Sequence, residues 1–381
     1  MPERKQLVSL DKGFLIVIPL LLMASAVVQA TASHAVVPNE PFAFLQRHLI
    51  NMGVGLLAFV LMMLIDYRQF RRFAPVVAAG GILLLILVLI PGIGRVINNA
   101  RRWIFIGPVS IQPSEIAKLL YVLVFASWLH FRRGKLETIW QFLPCFGLMI
   151  IPTVLIMRQP DLGTALVFVV ITLFMMYAAG ANPRLLGLLV FGGAGALFLI
   201  LFFHFRFGMP LPLADYQIMR LTVFLDPYND GRGGLGAGYN IIQSLIAIGS
   251  GGLWGQGFLQ GAQSQSNFLP YHNTDFVFAV IGEEFGFVGS ITVLGLFLIL
   301  LFRALHISRE ANDFYGYLVV VGIVGMFFFQ VVENTGMTMG VMPVTGLPLP
   351  LFSYGGTSMW VSLAALGVVA SVNLRRKDIS F

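Results

Sequence analysis

The chain has 381 residues, of which 57% are hydrophobic and only 11% charged, with a mean hydropathy of +0.86. A soluble domain carries about 25% charged residues, so this composition excludes a soluble globular protein. The net charge of +7 does not indicate nucleic-acid binding, because the charges lie in short loops beside apolar runs. Cys145 is the only cysteine, which excludes a disulfide framework and a thiolate metal cluster.

The apolar runs are continuous and roughly 18–25 residues long, as membrane-spanning helices require. We therefore predict an all-α polytopic membrane protein that forms a single integral membrane domain over residues 1–381. A large extracytoplasmic loop, about 205–274, separates the seventh span from the eighth. The ten predicted spans are about 13–31, 46–65, 73–91, 114–131, 139–157, 162–180, 185–204, 275–302, 314–334 and 354–373.

The distribution of basic residues predicts the orientation of these spans. Most of the 24 lysines and arginines fall in the short loops that share a side with both chain ends. Cytoplasmic loops are enriched in such residues, so the N- and C-termini are expected in the cytoplasm. Several arginines instead lie in the two long outer loops, which suggests that the outer face handles an anion.

The second outer loop, PGIGRVINNARRWIFIGPVSIQPSEIAK, is the first segment with candidate chemistry. Arg101 and Arg102 place two cations beside Trp103, which is either an aromatic-belt anchor, the favoured interpretation, or a substrate contact. Glu115 and Lys118 are spaced to share one helix face. They form either a structural ion pair or a phosphate contact in which Glu115 orients Lys118.

Two further outer segments carry candidate residues. Asp161, in RQPDLGTA, is expected to cap the sixth span, with a substrate role as the alternative. Residues 214–225 predict a short helix at the membrane surface that includes Arg220. The glycine-rich run GRGGLGAGYN follows no strand, so it indicates flexible backbone rather than a nucleotide-binding loop.

Asp275 begins the eighth predicted span in the sequence NTDFVFAVIGEEFGFVG. Spacing leaves two alternatives level: Thr274 or Asp275 caps the helix, or Asp275 acts as a general base. Glu283, Glu284 and Glu333 are further carboxylates within apolar spans and are functional candidates for that reason.

The proline-broken loop 341–360, VMPVTGLPLPLFSYGGTSMW, leads into the tenth predicted span. Ser353 and the glycines after it could bring backbone close to an anionic ligand at a helix N-terminus. Tight helix packing is the equally favoured alternative.

Five segments together resemble one family. They are RRWIFIGPVSIQPSEIAK, RQPDLGTA, LGAGYNIIQSLIAIGSGGLWGQGF, NTDFVFAVIGEEFGFVG and PLPLFSYGG. In this order they resemble the SEDS (shape, elongation, division and sporulation) family of peptidoglycan glycosyltransferases. GAQSQSNFLP and PVTGLPLPLFSYGG are more similar to the RodA elongation type than to the FtsW division type. The resemblance covers nearly the whole chain from the second outer loop onward, with one local departure at Leu269-Pro270-Tyr271-His272.

The resemblance implies that the protein polymerises lipid II at the outer face of the bacterial cytoplasmic membrane during cell elongation. It implies that Asp275 is the essential aspartate and that undecaprenyl pyrophosphate is the leaving group. Trp103, Glu115, Lys118 and Asp161 fall on the family's other motif residues. Implied partners are membrane lipid, a class B penicillin-binding protein transpeptidase and other membrane proteins of the elongation complex.

Glycosyl transfer from a pyrophosphate donor needs a base for the acceptor hydroxyl and positive charge for the leaving group. Asp275 meets the first need, and Arg101, Arg102, Lys118 and Arg220 are candidates for the second. A divalent cation, Mg²⁺ or Mn²⁺, could share the second task, although no cluster in the sequence fixes a metal site. Two other functions stay open, a lipid II flippase or transporter and a non-catalytic scaffold of a cell-wall complex.

Overall fold

The computed structural model describes residues 10–34, 36, 40, 42–97, 100–107, 109–210 and 215–376. Both chain ends, which the charge pattern assigns to the cytoplasm, lie outside these residues. The elements in chain order are α1 (Lys12–Ala32), α2 (Ala43–Leu64), α3 (Arg68–Arg72), α4 (Ala74–Leu87), β1 (Gly94–Ile97), β2 (Ala100–Ile106), β3 (Val109–Ile111), α5 (Pro113–His130), α6 (Ile139–Met157), α7 (Leu162–Ala178), α8 (Pro183–Phe207), α9 (Asp215–Leu225), α10 (Tyr239–Gly251), α11 (Ala262–Gln265), α12 (Val277–Arg309), α13 (Phe314–Thr338) and α14 (Gly356–Leu374).

A helix lies at each of the ten predicted spans. Within the described ranges, seven of these helices are long and apolar enough to cross a membrane, namely α1, α2, α6, α8, α12, α13 and α14. Helices α4 and α7 are apolar but shorter, and α5 carries Glu115 and Lys118 in its first turns. The mostly helical membrane architecture is confirmed, and the count of ten spans stays a prediction.

Helices α13 and α14 form the centre of the molecule. Their apolar stretches are 78% and 94% buried, whereas that of α8 is only 6% buried. Close approach of α2 to α14 depends on small residues, because a Cβ on Gly367 would lie 2.4 Å from the Phe59 carbonyl oxygen. Small residues let helices in a membrane pack closely and gain dispersion energy.

The second outer loop folds into a three-stranded antiparallel sheet in the order β1-β2-β3. The all-α prediction is wrong for this segment. Its residues favour strands for a local reason, since RRWIFI and VSI are rich in β-branched and aromatic side chains that suit a pleated surface. The sheet brings Arg102 and Trp103, on β2, against the first turns of α5 and α7.

The large outer loop is more ordered than its glycine content predicts. Helix α9 confirms the short helix expected at 214–225, and α10 and α11 follow it. Asp230 organises the glycine-rich run, because its carboxylate accepts hydrogen bonds from four backbone N–H groups, those of Arg232, Gly234, Gly236 and Gly238. These hydrogen bonds lower the pKa of Asp230 to about 2, and the one from the Gly234 N–H has the largest effect.

Helix α12 is kinked at Gly286, whose backbone (φ 66°, ψ −161°) is not helical. Residues 252–257 fill the gap that the kink leaves in the helical hydrogen bonds. Gln256 and Gly257 donate to the carbonyl oxygens of Glu283 and Glu284 at 2.9 and 3.1 Å, and two N–H groups beyond the kink donate back to residues 252 and 253. A kink is stable when other groups satisfy the freed backbone in this way.

Candidate active site

A cavity of about 620 Å³ lies at the ends of the helices that the charge pattern predicts to face outward. It is enclosed by strands β2 and β3, the first turns of α5 and α7, helix α9, and the turns that precede α12 and α14. The structure brings six residues predicted from the sequence into its wall: Arg102, Trp103, Glu115, Asp161, Arg220 and Asp275.

Asp275 lies in a turn, two residues before α12 begins at Val277. Among the described residues no side chain caps α12, so the capping alternative for Thr274 and Asp275 is wrong. Gly346 faces the carboxylate closely, since a Cβ there would lie 3.2 Å from Asp275 Oδ2. The Asp275 side chain therefore lines the cavity and does not cap α12.

The environment of Asp275 tunes its acidity. Burial raises its pKa to about 6, against the opposing effects of the Thr274 hydroxyl and of the cations Arg102 and Arg220. A carboxylate with a pKa near neutrality can accept a proton from a hydroxyl more effectively than an ordinary aspartate and is still largely ionised at pH 7.

Arg102 and Asp161 form one charged unit in the cavity wall. Arg102 Nη1 lies 3.8 Å from Asp161 Oδ2. The same guanidinium donates from Nε to the Gln159 carbonyl oxygen at 3.0 Å and from Nη2 to the Pro160 carbonyl oxygen. Asp161 Oδ1 accepts the backbone N–H of Thr164 at 3.2 Å, so the predicted cap of α7 is confirmed. Asp161 both caps the helix and orients a cation toward the cavity.

Glu115 and Lys118 form a buried ion pair, with Lys118 Nζ 2.8 Å from Glu115 Oε1. The two side chains are only 3% and 1% exposed, respectively. Glu115 reaches the cavity wall. The ion pair is thus present, and a contact between Lys118 and a phosphate stays a prediction.

Three predicted residues are absent from the cavity wall in the part of the chain that the structure describes. Arg101 donates from Nη1 to the Leu89 carbonyl oxygen at 2.9 Å, and Lys118 is buried in its ion pair with Glu115. Ser353 donates from Oγ to the Thr274 carbonyl oxygen at 2.6 Å, so its hydroxyl is used within the protein.

Other residues of the wall did not stand out in the sequence. Thr345 accepts a hydrogen bond from Arg220 Nη1 on its carbonyl oxygen at 3.3 Å, and its hydroxyl donates to Glu333. Asn240 and Tyr271 also line the cavity. The positive φ of Tyr271, 57°, is unusual for a non-glycine residue and marks a tight turn that no sequence signal announces.

Glu283 and Glu284 bind backbone rather than ligand. Glu283 accepts the N–H groups of Gln263 and Ser264 at 2.6 and 3.1 Å. Glu284 accepts that of Leu259 at 3.1 Å and the side-chain amide of residue 265 at 3.0 Å. Both carboxylates are buried and anchor the loop that leads to Asp275.

The described residues contain no group of three or more His, Cys, Asp and Glu side chains that could hold a metal ion. Asp161 and Asp275 share the cavity, but each faces an arginine. The described part of the chain therefore does not by itself supply a ligand set for Mg²⁺ or Mn²⁺.

Comparison with known proteins finds one family model and relatives that match nearly the whole chain. A family model described as "Cell cycle protein", of FtsW, RodA and SpoVE, matches residues 7–378. Stage V sporulation protein E of Bacillus subtilis is 38% identical over 374 residues, covering 94% of this chain and 96% of that protein. Peptidoglycan glycosyltransferase MrdB of Escherichia coli is 37% identical over 373 residues, covering 98% of this chain and 96% of that protein.

A solved structure is similar over almost the full length. It is described as "Structural coordination of polymerization and crosslinking by a peptidoglycan synthase complex". Its chain matches with a TM-score of 0.79 and 33% identity, covering 96% of this chain and 98% of that one.

Proposed function

Because the chain belongs to the family of FtsW, RodA and SpoVE, whose model it matches over residues 7–378, we propose that it polymerises lipid II into glycan strands. The protein is a peptidoglycan glycosyltransferase, the activity for which its relative MrdB of Escherichia coli is named. The observation that carries the finer proposal is one cavity that holds a carboxylate with a raised pKa and two arginines.

In the proposed mechanism Asp275 takes the proton from the acceptor hydroxyl as that oxygen attacks the sugar carbon of the donor. Undecaprenyl pyrophosphate leaves with the bonding electrons and carries developing negative charge. Arg102 and Arg220 supply fixed positive charge in a partly enclosed cavity, where such charge is more effective than in water. Trp103, in the same wall, offers a flat apolar face for a sugar ring.

The surroundings of the two arginines keep their positions fixed. Arg102 is held by backbone carbonyls and Asp161, and Arg220 by the carbonyl oxygen of Thr345. Charge that is oriented before the reaction does not have to reorganise during it, which lowers the barrier. Since the described residues do not build a metal site, no step is assigned to Mg²⁺ or Mn²⁺. A cation carried by the pyrophosphate stays a prediction that chelation with EDTA would test.

We further propose that the enzyme is of the RodA type and acts in cell elongation. The segments GAQSQSNFLP and PVTGLPLPLFSYGG support this assignment. Relatives named for different roles, sporulation protein E and MrdB, have nearly equal identity to this chain, 38% and 37%. The assignment to the RodA type therefore rests on the two segments. We propose a class B transpeptidase as partner, in line with the synthase complex that the similar structure describes, and a bacterial cytoplasmic membrane location with both termini inside.

The decisive experiment is to incubate the purified protein with lipid II in detergent and analyse the product for glycan polymer. We expect polymer from the wild type and none from Asp275→Asn, which keeps the size of the side chain but cannot accept the proton. With no bilayer present, flipping cannot produce polymer.

Two results would contradict the proposal. Polymer from folded Asp275→Asn would remove Asp275 as the base. No polymer from the folded wild type, alone or with a transpeptidase partner, would favour the flippase or the scaffold.

A further inference from the structure

Three buried side chains hold three consecutive backbone carbonyls of the turn that carries Asp275. Gln29 Nε2 donates to the Asn273 carbonyl oxygen at 2.9 Å. Ser353 Oγ donates to that of Thr274 at 2.6 Å, and Asn334 Nδ2 donates to that of Asp275 itself at 2.8 Å. Gln29 comes from α1, Asn334 from α13 and Ser353 from the loop before α14.

The same three side chains also hold a second segment, residues 347–353. Gln29 Nε2 donates to the Phe352 carbonyl oxygen at 2.7 Å, and Asn334 Nδ2 to that of Leu347 at 2.8 Å. Ser353 Oγ accepts the backbone N–H of Leu349 at 2.8 Å. The turn 273–275 and the loop 347–353 are therefore joined through shared donors, and we call these three side chains the carbonyl clamp.

The clamp adds side-chain hydrogen bonds from three separate segments to the backbone hydrogen bonds that this turn makes, such as that from the Tyr354 N–H to the Asn273 carbonyl oxygen at 2.9 Å. Asp275 lies before the first residue of α12, and its carbonyl oxygen accepts a hydrogen bond from Asn334, a side chain on α13. Gln29 and Asn334 are 0% exposed and Ser353 is 3% exposed, so water cannot readily replace them. Pro348, within the clamped loop, and Tyr354, directly after it, line the same cavity as Asp275.

We infer that Gln29, Asn334 and Ser353 are positioning residues that fix the Asp275 carboxylate relative to the cavity wall. The inference rests on the proposed function of Asp275 as the base. A general base must lie within hydrogen-bond reach of its proton, and a misplacement of about 1 Å can reduce a rate by about 100-fold. The clamp residues do not touch the cavity themselves, so they act through Asp275.

The test compares Asn334→Leu, which keeps the approximate size of the side chain, with the milder Ser353→Ala. Each has a matched control on α14. Ser371 also donates to a backbone carbonyl, that of Ile65 at 2.6 Å, and also accepts a hydrogen bond, from Arg375. Asn373 is a buried asparagine whose amide has no hydrogen-bond partner among the described residues. Ser371→Ala and Asn373→Leu therefore change similar side chains at the other end of the molecule.

The measurements are kcat and KM for polymerisation of lipid II from pH 5 to 8, with the folded fraction of each preparation determined separately. We expect Asn334→Leu to lower kcat roughly 10- to 100-fold with little change in KM, and Ser353→Ala to lower it less. Loosening the turn should also change how far the half-buried Asp275 carboxylate is exposed to the cavity and its distances from Arg102 and Arg220, and should therefore shift the acid limb of the rate profile. In these variants the other titratable or charged groups around Asp275, namely Arg102, Arg220, Asp161 and Glu333, are unchanged.

The controls should keep both kcat and the acid limb. The inference is overturned if the clamp variants lose only as much activity as they lose folded protein, with the acid limb unmoved. It is also overturned if they retain wild-type kcat. Failure of the proposed function is distinguishable, because then the wild type makes no polymer or Asp275→Asn makes it normally.

Discussion

Burial, more than the charges around it, determines the pH range in which Asp275 can act as the proposed base. Arg102 and Arg220 favour its ionised form, whereas burial and Asp161 favour the protonated form, and the pKa rises to about 6. Only the ionised carboxylate can accept a proton. The active form is therefore present above this pKa and is lost as the pH falls through it.

We predict that the polymerisation rate falls below about pH 6 and approaches a tenfold loss per pH unit in more acid solution. Initial rates of the purified enzyme from pH 4.5 to 8 would measure this, with circular dichroism at each pH to show that the protein stays folded. An acid limb near the ordinary aspartate pKa of about 3.9 would contradict it.

At the residue scale the sequence identifies polar side chains that stand out from an apolar background. Arg102, Asp161 and Asp275 stood out for this reason, and all three line the cavity. Gln29 and Asn334 were not predicted, because they act by holding carbonyls from segments distant in the sequence. A single sequence does not reveal such a contact.

At the scale of elements, helices were more predictable than strands. A long apolar run in a membrane protein has few alternatives to a helix, so the ten runs all coincide with helices. The sheet of the second outer loop contains strands as short as the three residues of β3. Such strands form because they pair with one another, and periodicity within one strand carries little information about pairing.

The outer half of α12 and the loop before it stabilise each other through Glu284. Glu284→Gln replaces one carboxylate oxygen, which accepts hydrogen bonds, with an NH₂ group, which cannot accept them. The N–H donors that face this position then lose their acceptor. We expect faster hydrogen exchange at residues 259–265 and a free energy of unfolding lower by about 1–3 kcal/mol. Hydrogen exchange with mass spectrometry would measure the local effect.

The matched control is Glu310→Gln. This carboxylate at the opposite end of α12 is 30% exposed and pairs with Arg376. Its replacement should leave exchange at 259–265 unchanged. Equal exchange in wild type and Glu284→Gln would show that the carboxylate does not hold the loop.

At the scale of the whole molecule, the orientation in the membrane can be tested through the single cysteine. Cys145 is buried, so a Cys145→Ala background should fold and give no thiol labelling. Lys135 and Arg232 are exposed in loops at opposite ends of the helices. We predict that a membrane-impermeant maleimide added to intact spheroplasts labels Arg232→Cys, and labels Lys135→Cys only after lysis. The reverse pattern would place both termini outside.

The kink at Gly286 has a consequence for how the protein is made. Residues 252–257 leave the ribosome before α12, yet their backbone partners are the carbonyls of Glu283 and Glu284 and the N–H groups just beyond Gly286. The large outer loop therefore cannot complete its hydrogen bonds until the eighth predicted span has been synthesised and inserted. During biogenesis the turn that carries Asp275 and the loop before it should therefore fold together, late, once the membrane span that follows them is in place.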